Sequence, residues 1–166
     1  MAGTLAAPQW LLTCWPNESE SGRRKRQYMN RYVLDSFALL AFIQHEPGAE
    51  AVKAVLEQAD IGRSEAYLSL VNLGEALYQF ERRKGSELIP EFLALLDSLP
   101  ITMVDVNFDR VIEAAHLKAT YPFSYADAFV AALAHELDAV ILTGDPEFRE
   151  LGDEVRVQWL GQARKQ

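Results

Sequence analysis

From Arg31 onward the apolar positions alternate between short β-rich runs and longer stretches with helical spacing. Residues 32–34 (Tyr-Val-Leu) read as a short buried strand, and 36–44 as an apolar helix that Pro47-Gly48 closes off. Residues 49–59 form a second helical stretch. A β-rich run at 67–71 leads into a helix over 72–84, punctuated by Gly85. Residues 88–99 repeat the amphipathic spacing up to Pro100, 101–106 read as a strand, and 108–119 as a helix interrupted at Pro122. Ser124 caps a helix that runs to 137, 139–142 is a strand closed by a Gly-Asp-Pro turn, and 155–160 is the last strand. Strands alternating with helices predict a parallel sheet covered on both faces, so the expected fold class is α/β, a three-layer α/β/α sandwich of about five strands.

Four acids fall at telling places on this map. Asp35 ends the first strand and Asp145 lies just past the run Val140-Ile141-Leu142. Glu75 is expected in the first turn of its helix, and Asp127 stands three residues after the cap Ser124. In an open parallel sheet, strand C-termini and helix N-termini share one edge, which is where ligands bind. Each acid taken alone has a plain structural reading: Asp35 as a helix cap, Asp127 as a first-turn acid, Asp145 as turn chemistry, Glu75 as a solvated helix residue. Taken together those readings weaken. Carboxylates about 6 Å apart repel by roughly 3 kcal/mol per pair at an effective dielectric near 20, so a cluster of four calls for a cation or for retained protons. An all-oxygen set, with no cysteine and no well-placed histidine, favours Mg²⁺, or Mn²⁺ as the alternative, over zinc.

Charge sharpens this picture. The 166 residues carry a net charge of −8, but four of the 16 bases and two of the 24 acids precede Met29. Residues 29–166 therefore hold 12 bases against 22 acids, a net of −10. A domain this acidic does not attract nucleic acid by bulk electrostatics, so any action on nucleic acid needs a divalent cation or a local basic patch. Arg82, Arg83 and Lys84, at the end of a helix, are candidates for gripping nucleic-acid phosphates; as late-turn bases they also complement the helix C-terminus. His45, His116 and His135 form no metal-binding spacing. Phe37, Leu40, Phe42 and Ile43 read as core, part of which could line a groove for a partner helix. The strand at 155–160 reads as sheet edge or core rather than as a stacking platform.

Residues 1–28 show no periodicity and read as a flexible N-terminal extension, with 29–166 as the folded domain. The basic cluster at 23–26 follows the short apolar stretch Trp10-Leu11-Leu12, the reverse of a secretory signal, and Met29 is a candidate natural start. No apolar run approaches the roughly 18 residues of a membrane span. One cysteine, Cys14, allows neither an intramolecular disulfide nor a cysteine zinc site. A cytoplasmic protein with no membrane role is expected.

The stretches Tyr-Val-Leu-Asp-Ser at 32–36, Ser-Leu-Val-Asn-Leu-Gly-Glu at 69–75, Ser-Tyr-Ala-Asp-Ala-Phe at 124–129 and Leu-Thr-Gly-Asp-Pro-Glu-Phe at 142–148 occur in order. With them, residues 29–160 resemble a PIN domain, and more narrowly the VapC ribonuclease toxins of type II toxin–antitoxin pairs. The resemblance implies a five-stranded parallel sheet and Mg²⁺- or Mn²⁺-dependent endoribonuclease activity. It also implies a cognate antitoxin that blocks the site, and a homodimer. Carried over by residue, it makes Asp35 and Asp127 the principal metal-binding pair and lets Glu75 and Asp145 complete the acidic site. Ser36, Asn72 and Thr143 would support the acids from behind. In that chemistry a bound cation polarises a phosphoryl oxygen and activates water, with Glu75 or Asp145 aligning or deprotonating it. The different-class alternative is a PIN-like module that binds RNA or protein without cleaving. A haloacid-dehalogenase phosphatase is disfavoured because position 37 is Phe where a second Asp would stand. A response-regulator receiver lacks its paired acid and late-strand Lys here. No Gly-x-Gly-x-x-Gly follows the first strand, which disfavours a dinucleotide enzyme.

Overall fold

The computed structural model describes residues 29–161. The extension expected at 1–28 lies outside the described residues. The chain runs β1 (Asn30–Leu34), α1 (Ser36–Ile43), α2 (Ala49–Asp60), β2 (Ser64–Ser69), α3 (Leu70–Lys84), α4 (Ile89–Asp97) and β3 (Thr102–Val104). It continues through α5 (Phe108–Thr120), α6 (Tyr125–Leu137), β4 (Val140–Thr143), a 3₁₀ turn (Pro146–Leu151) and β5 (Val157–Trp159). All five strands pair in parallel in the order β3-β2-β1-β4-β5. The expected three-layer α/β/α class is what the chain adopts.

Alternation along the strands builds the layers. Val33 and Ile141 pack with α5 and α6 on one face; their neighbours Leu34 and Leu142 pack with α1 to α4 on the other. All four are fully buried, the signature of strands covered on both sides. The chain adds strands to one side of β1, through β2 to β3, then crosses back to place β4 on its other side. The boundary between β1 and β4 is thus the topological switch point, the crevice where open α/β sheets bind ligands.

Several boundaries differ from the sequence expectation. The second strand occupies 64–69, not 67–71, because the Ser69 hydroxyl accepts from Val71 N at 3.3 Å and starts α3 at Leu70. Glu75 consequently lies in the second turn of α3, not the first. The third strand shrinks from 101–106 to Thr102–Val104, and the last from 155–160 to Val157–Trp159, both at sheet edges where one side has no partner strand. The Gly-Asp-Pro turn continues into the 3₁₀ segment, with Pro146 at its start.

Candidate active site

Asp35 leaves β1 in an extended conformation and caps α1, accepting at Oδ1 from Ala38 N at 2.6 Å. Its Oδ2 accepts from the Thr143 hydroxyl on the neighbouring strand β4. The side chain is buried, with the residue 1% exposed. Burial pushes its pKa up to about 8, outweighing the two hydrogen bonds, and the negative charges of Asp127 and Asp145 add to the rise.

Asp127 is held by a reciprocal capping box at the start of α6. Its backbone N–H donates to Ser124 Oγ at 3.1 Å, and its Oδ2 accepts from Ser124 N at 3.1 Å. Burial again raises its pKa, to about 6, against the Ser124 hydrogen bonds and with help from the charges of Asp145 and Glu75. Glu75 projects from α3 and accepts from the Ser36 hydroxyl at 2.5 Å. Asp145 caps the 3₁₀ turn by accepting from Glu147 N at 2.9 Å, while its own N–H donates to Thr143 Oγ1 at 2.9 Å.

Asn72 stands behind these groups. It is fully buried on α3, and its Nδ2 donates to the Ala126 carbonyl at 3.1 Å, tying α3 to the first turn of α6 beside Asp127. Its Oδ1 is buried with no hydrogen-bond partner among the described residues.

The four acids line one cleft of about 220 Å³. Ser36 and Ser124 share its wall, as do Phe37 and Leu40 of α1. Of the basic trio only Arg83 lines it; Arg82 and Lys84 do not. The sequence reading assigns no role to three lining residues: Glu46 in the α1–α2 loop, Gln79 on α3, and Glu147 within the 142–148 stretch. Glu147 was open to detection as the acid two residues after Asp145, whereas Glu46 reaches the cleft only through the path of its loop. Thr143 and Asn72 stand outside the lining, one behind Asp35 and the other behind α6. Gly144 lets the wall close up: a Cβ there would lie 2.3 Å from the Phe37 ring.

The donor set suits a hard divalent cation. Every charged acceptor in the cleft is a carboxylate, and no cysteine or histidine lines it. The raised pKa values of Asp35 and Asp127 have the sign that a nearby cation reverses, because it favours the ionised form. Among the described residues no three acidic, imidazole or thiol groups already stand at common ligand distance. The cleft gathers the carboxylates without closing them on one point.

With this geometry, comparison with known proteins is informative. The PIN domain family model matches residues 32–154. Among solved structures, VapBC2 from Rickettsia felis, bound to a promoter DNA fragment, superposes with a TM-score of 0.63 at 17% identity, covering 79% of this chain and 99% of that one. VapC20 of Mycobacterium tuberculosis, a sarcin-ricin loop cleaving toxin, gives 0.58 at 19% identity over 75% and 98%. DNA-bound VapBC from Salmonella typhimurium gives 0.57 at 18% identity over 78% and 98%. At these identities the structures speak for the fold alone. No curated protein matches the chain. The family match spans well over half of the sequence, and it brings the motifs around Asp35, Glu75, Asp127 and Asp145 under one description: the chain belongs to the PIN domain family.

Proposed function

We propose that this protein is a metal-dependent endoribonuclease and acts as the toxin of a VapC-type toxin–antitoxin pair. The observation that carries the proposal is the convergence of Asp35, Glu75, Asp127 and Asp145 on one cleft at the switch point between β1 and β4. Two of those acids are buried deeply enough to hold raised pKa values, an expense that ordinary capping chemistry does not require. The likeness to VapC20, described as a sarcin-ricin loop cleaving toxin, and to VapBC structures supports the choice of RNA as substrate and of an antitoxin as partner.

Asp35 and Asp127 would hold Mg²⁺ or Mn²⁺, with Asp145 and Glu75 completing the set. Bound there, Mg²⁺ or Mn²⁺ would supply polarisation of the scissile phosphoryl group and a lowered pKa for water beside it. Ser36 keeps the Glu75 carboxylate aimed through its hydrogen bond, so that Glu75 can accept a proton from the attacking water. Thr143 fixes Asp35 and the backbone of Asp145 together. Arg83, the lining cation, would offset charge that accumulates on the phosphoryl oxygens. Attack by water leaves a 5′-phosphate and a 3′-hydroxyl.

The test is incubation of the full-length protein with a mixed structured RNA pool in EDTA, Mg²⁺ or Mn²⁺, with Asp127→Asn alongside. Metal-dependent cutting by the wild type that disappears in the variant is the expected result. Absence of both cutting and metal-induced thermal stabilisation would leave a PIN-like binding module as the function.

A further inference from the structure

A second concave surface lies on the far side of the 3₁₀ turn. It is a groove of about 440 Å³ along the edge strand β5, lined among others by Arg149, Arg156, Asp153 and Trp159. Trp159 is the single tryptophan among the described residues, and it is 44% exposed on an edge strand instead of being used in the core. The Arg149 guanidinium lies over its ring, 5.5 Å from the centroid. Arg156 is held in place by donating to the Asp138 carbonyl at 2.6 Å and carboxylate at 3.0 Å. The lining brings two arginines and Asp153 together, and Asp138 pairs with Arg156, so Arg149 over the indole is the cation most directly presented to a ligand on a domain whose residues 29–166 carry a net charge of −10.

We infer that the Trp159–Arg149 pair is a stacking platform for an unpaired base of the RNA strand, with Arg156 contacting its phosphate. This inference rests on the ribonuclease reading for its choice of ligand. The platform differs from the plain edge strand expected at 155–160. Indole and guanidinium faces accept any base, and arginines beside such a platform meet the phosphates of a single strand. Continuity with the cleft decides for RNA over a peptide added to the edge of β5. The 3₁₀ turn places Glu147 in the acidic cleft and, two residues on, Arg149 in this groove. Trp159 pairs in register with Thr143, the residue behind Asp35, so the ring stands one strand away from the acidic site at the same edge of the sheet. An RNA strand with its scissile phosphate in the cleft passes over this turn.

The test uses the full-length protein in EDTA at low salt, where nothing is cut, with a fluorescein-labelled oligoadenylate octamer and fluorescence anisotropy. Trp159→Ala is expected to weaken binding about tenfold, and Trp159→Phe to retain most of it. Arg149→Ala should weaken binding and flatten its salt dependence, and a blunt RNA duplex should show no dependence on Trp159. Undetectable octamer binding, binding by Trp159→Ala equal to wild type, or an equal loss in Trp159→Phe would each overturn the platform. Cleavage of the RNA pool separates this idea from the nuclease reading. Trp159-dependent binding without metal-dependent cutting keeps the platform and removes the nuclease; cutting with KM unchanged in Trp159→Ala does the reverse.

Discussion

The Thr143 hydroxyl donates to Asp35 Oδ2 and accepts from the backbone N–H of Asp145, joining two strand ends that lie 108 residues apart in the chain. Thr143 is fully buried, so the hydroxyl has no water to fall back on. Thr143→Val keeps the shape and removes both bonds. It is expected to cost about 1–3 kcal/mol in urea unfolding and to lower RNA cleavage at least tenfold, while Thr143→Ser restores most of both.

Burial of Asp35 dictates a pH dependence. Its folded pKa of about 8 lies above the unfolded value of 3.8, so the folded protein binds the extra proton between these limits. Stability in EDTA should therefore fall as pH rises from about 4 through 8, the reverse of an ion-paired carboxylate. Asp35→Asn should flatten that fall and melt higher than wild type at pH 8, as read by thermal unfolding across a pH series. In Mg²⁺ or Mn²⁺ the wild-type loss should shrink, because the ion favours the ionised form. An EDTA stability that rises over this pH range would contradict the assignment.

Ser124→Ala breaks the capping box that aims Asp127. The helix end should lose about 1 kcal/mol. The loss of cleavage should exceed what that small destabilisation explains, since the Asp127 carboxylate loses the turn that orients it. Kinetics at a temperature where the variant is fully folded, paired with its melting curve, check this.

Gly144 is a packing requirement, not a flexible joint. A methyl group at this position would meet the Phe37 ring at 2.3 Å. Gly144→Ala should therefore displace the ring or α1, cost about 1–3 kcal/mol, and impair cleavage, because Phe37 lines the cleft. The double variant Gly144→Ala with Phe37→Leu should recover part of the stability.

Much of the architecture was legible in short stretches of sequence. Ser124 three residues ahead of Asp127 announces a helix start, and alternation at Val33-Leu34 and Ile141-Leu142 announces strands buried on both faces. The structure departs from the sequence expectation where two signals overlap. At 67–71 the β-rich residues Leu70 and Val71 suited a strand, but the Ser69 cap committed them to α3. Edge strands β3 and β5 are shorter than their apolar runs suggest, because nothing local reports that one side lacks a partner.

What the sequence determined by itself was the class of fold and the placement of four acids at strand ends and helix starts, because strand alternation, helix spacing and capping chemistry act over a few residues. Which groups meet was decided by tertiary structure. The strand order that brings β4 beside β1 lets Thr143 reach Asp35 and seats Asp145 near Asp127; the path of the α1–α2 loop adds Glu46, and the phase of α3 selects Arg83 from three consecutive bases. The same packing withdraws Asp35 from water while leaving Trp159 exposed. Such contacts depend on how distant segments share space, and a carboxylate's proton affinity depends on the burial that results.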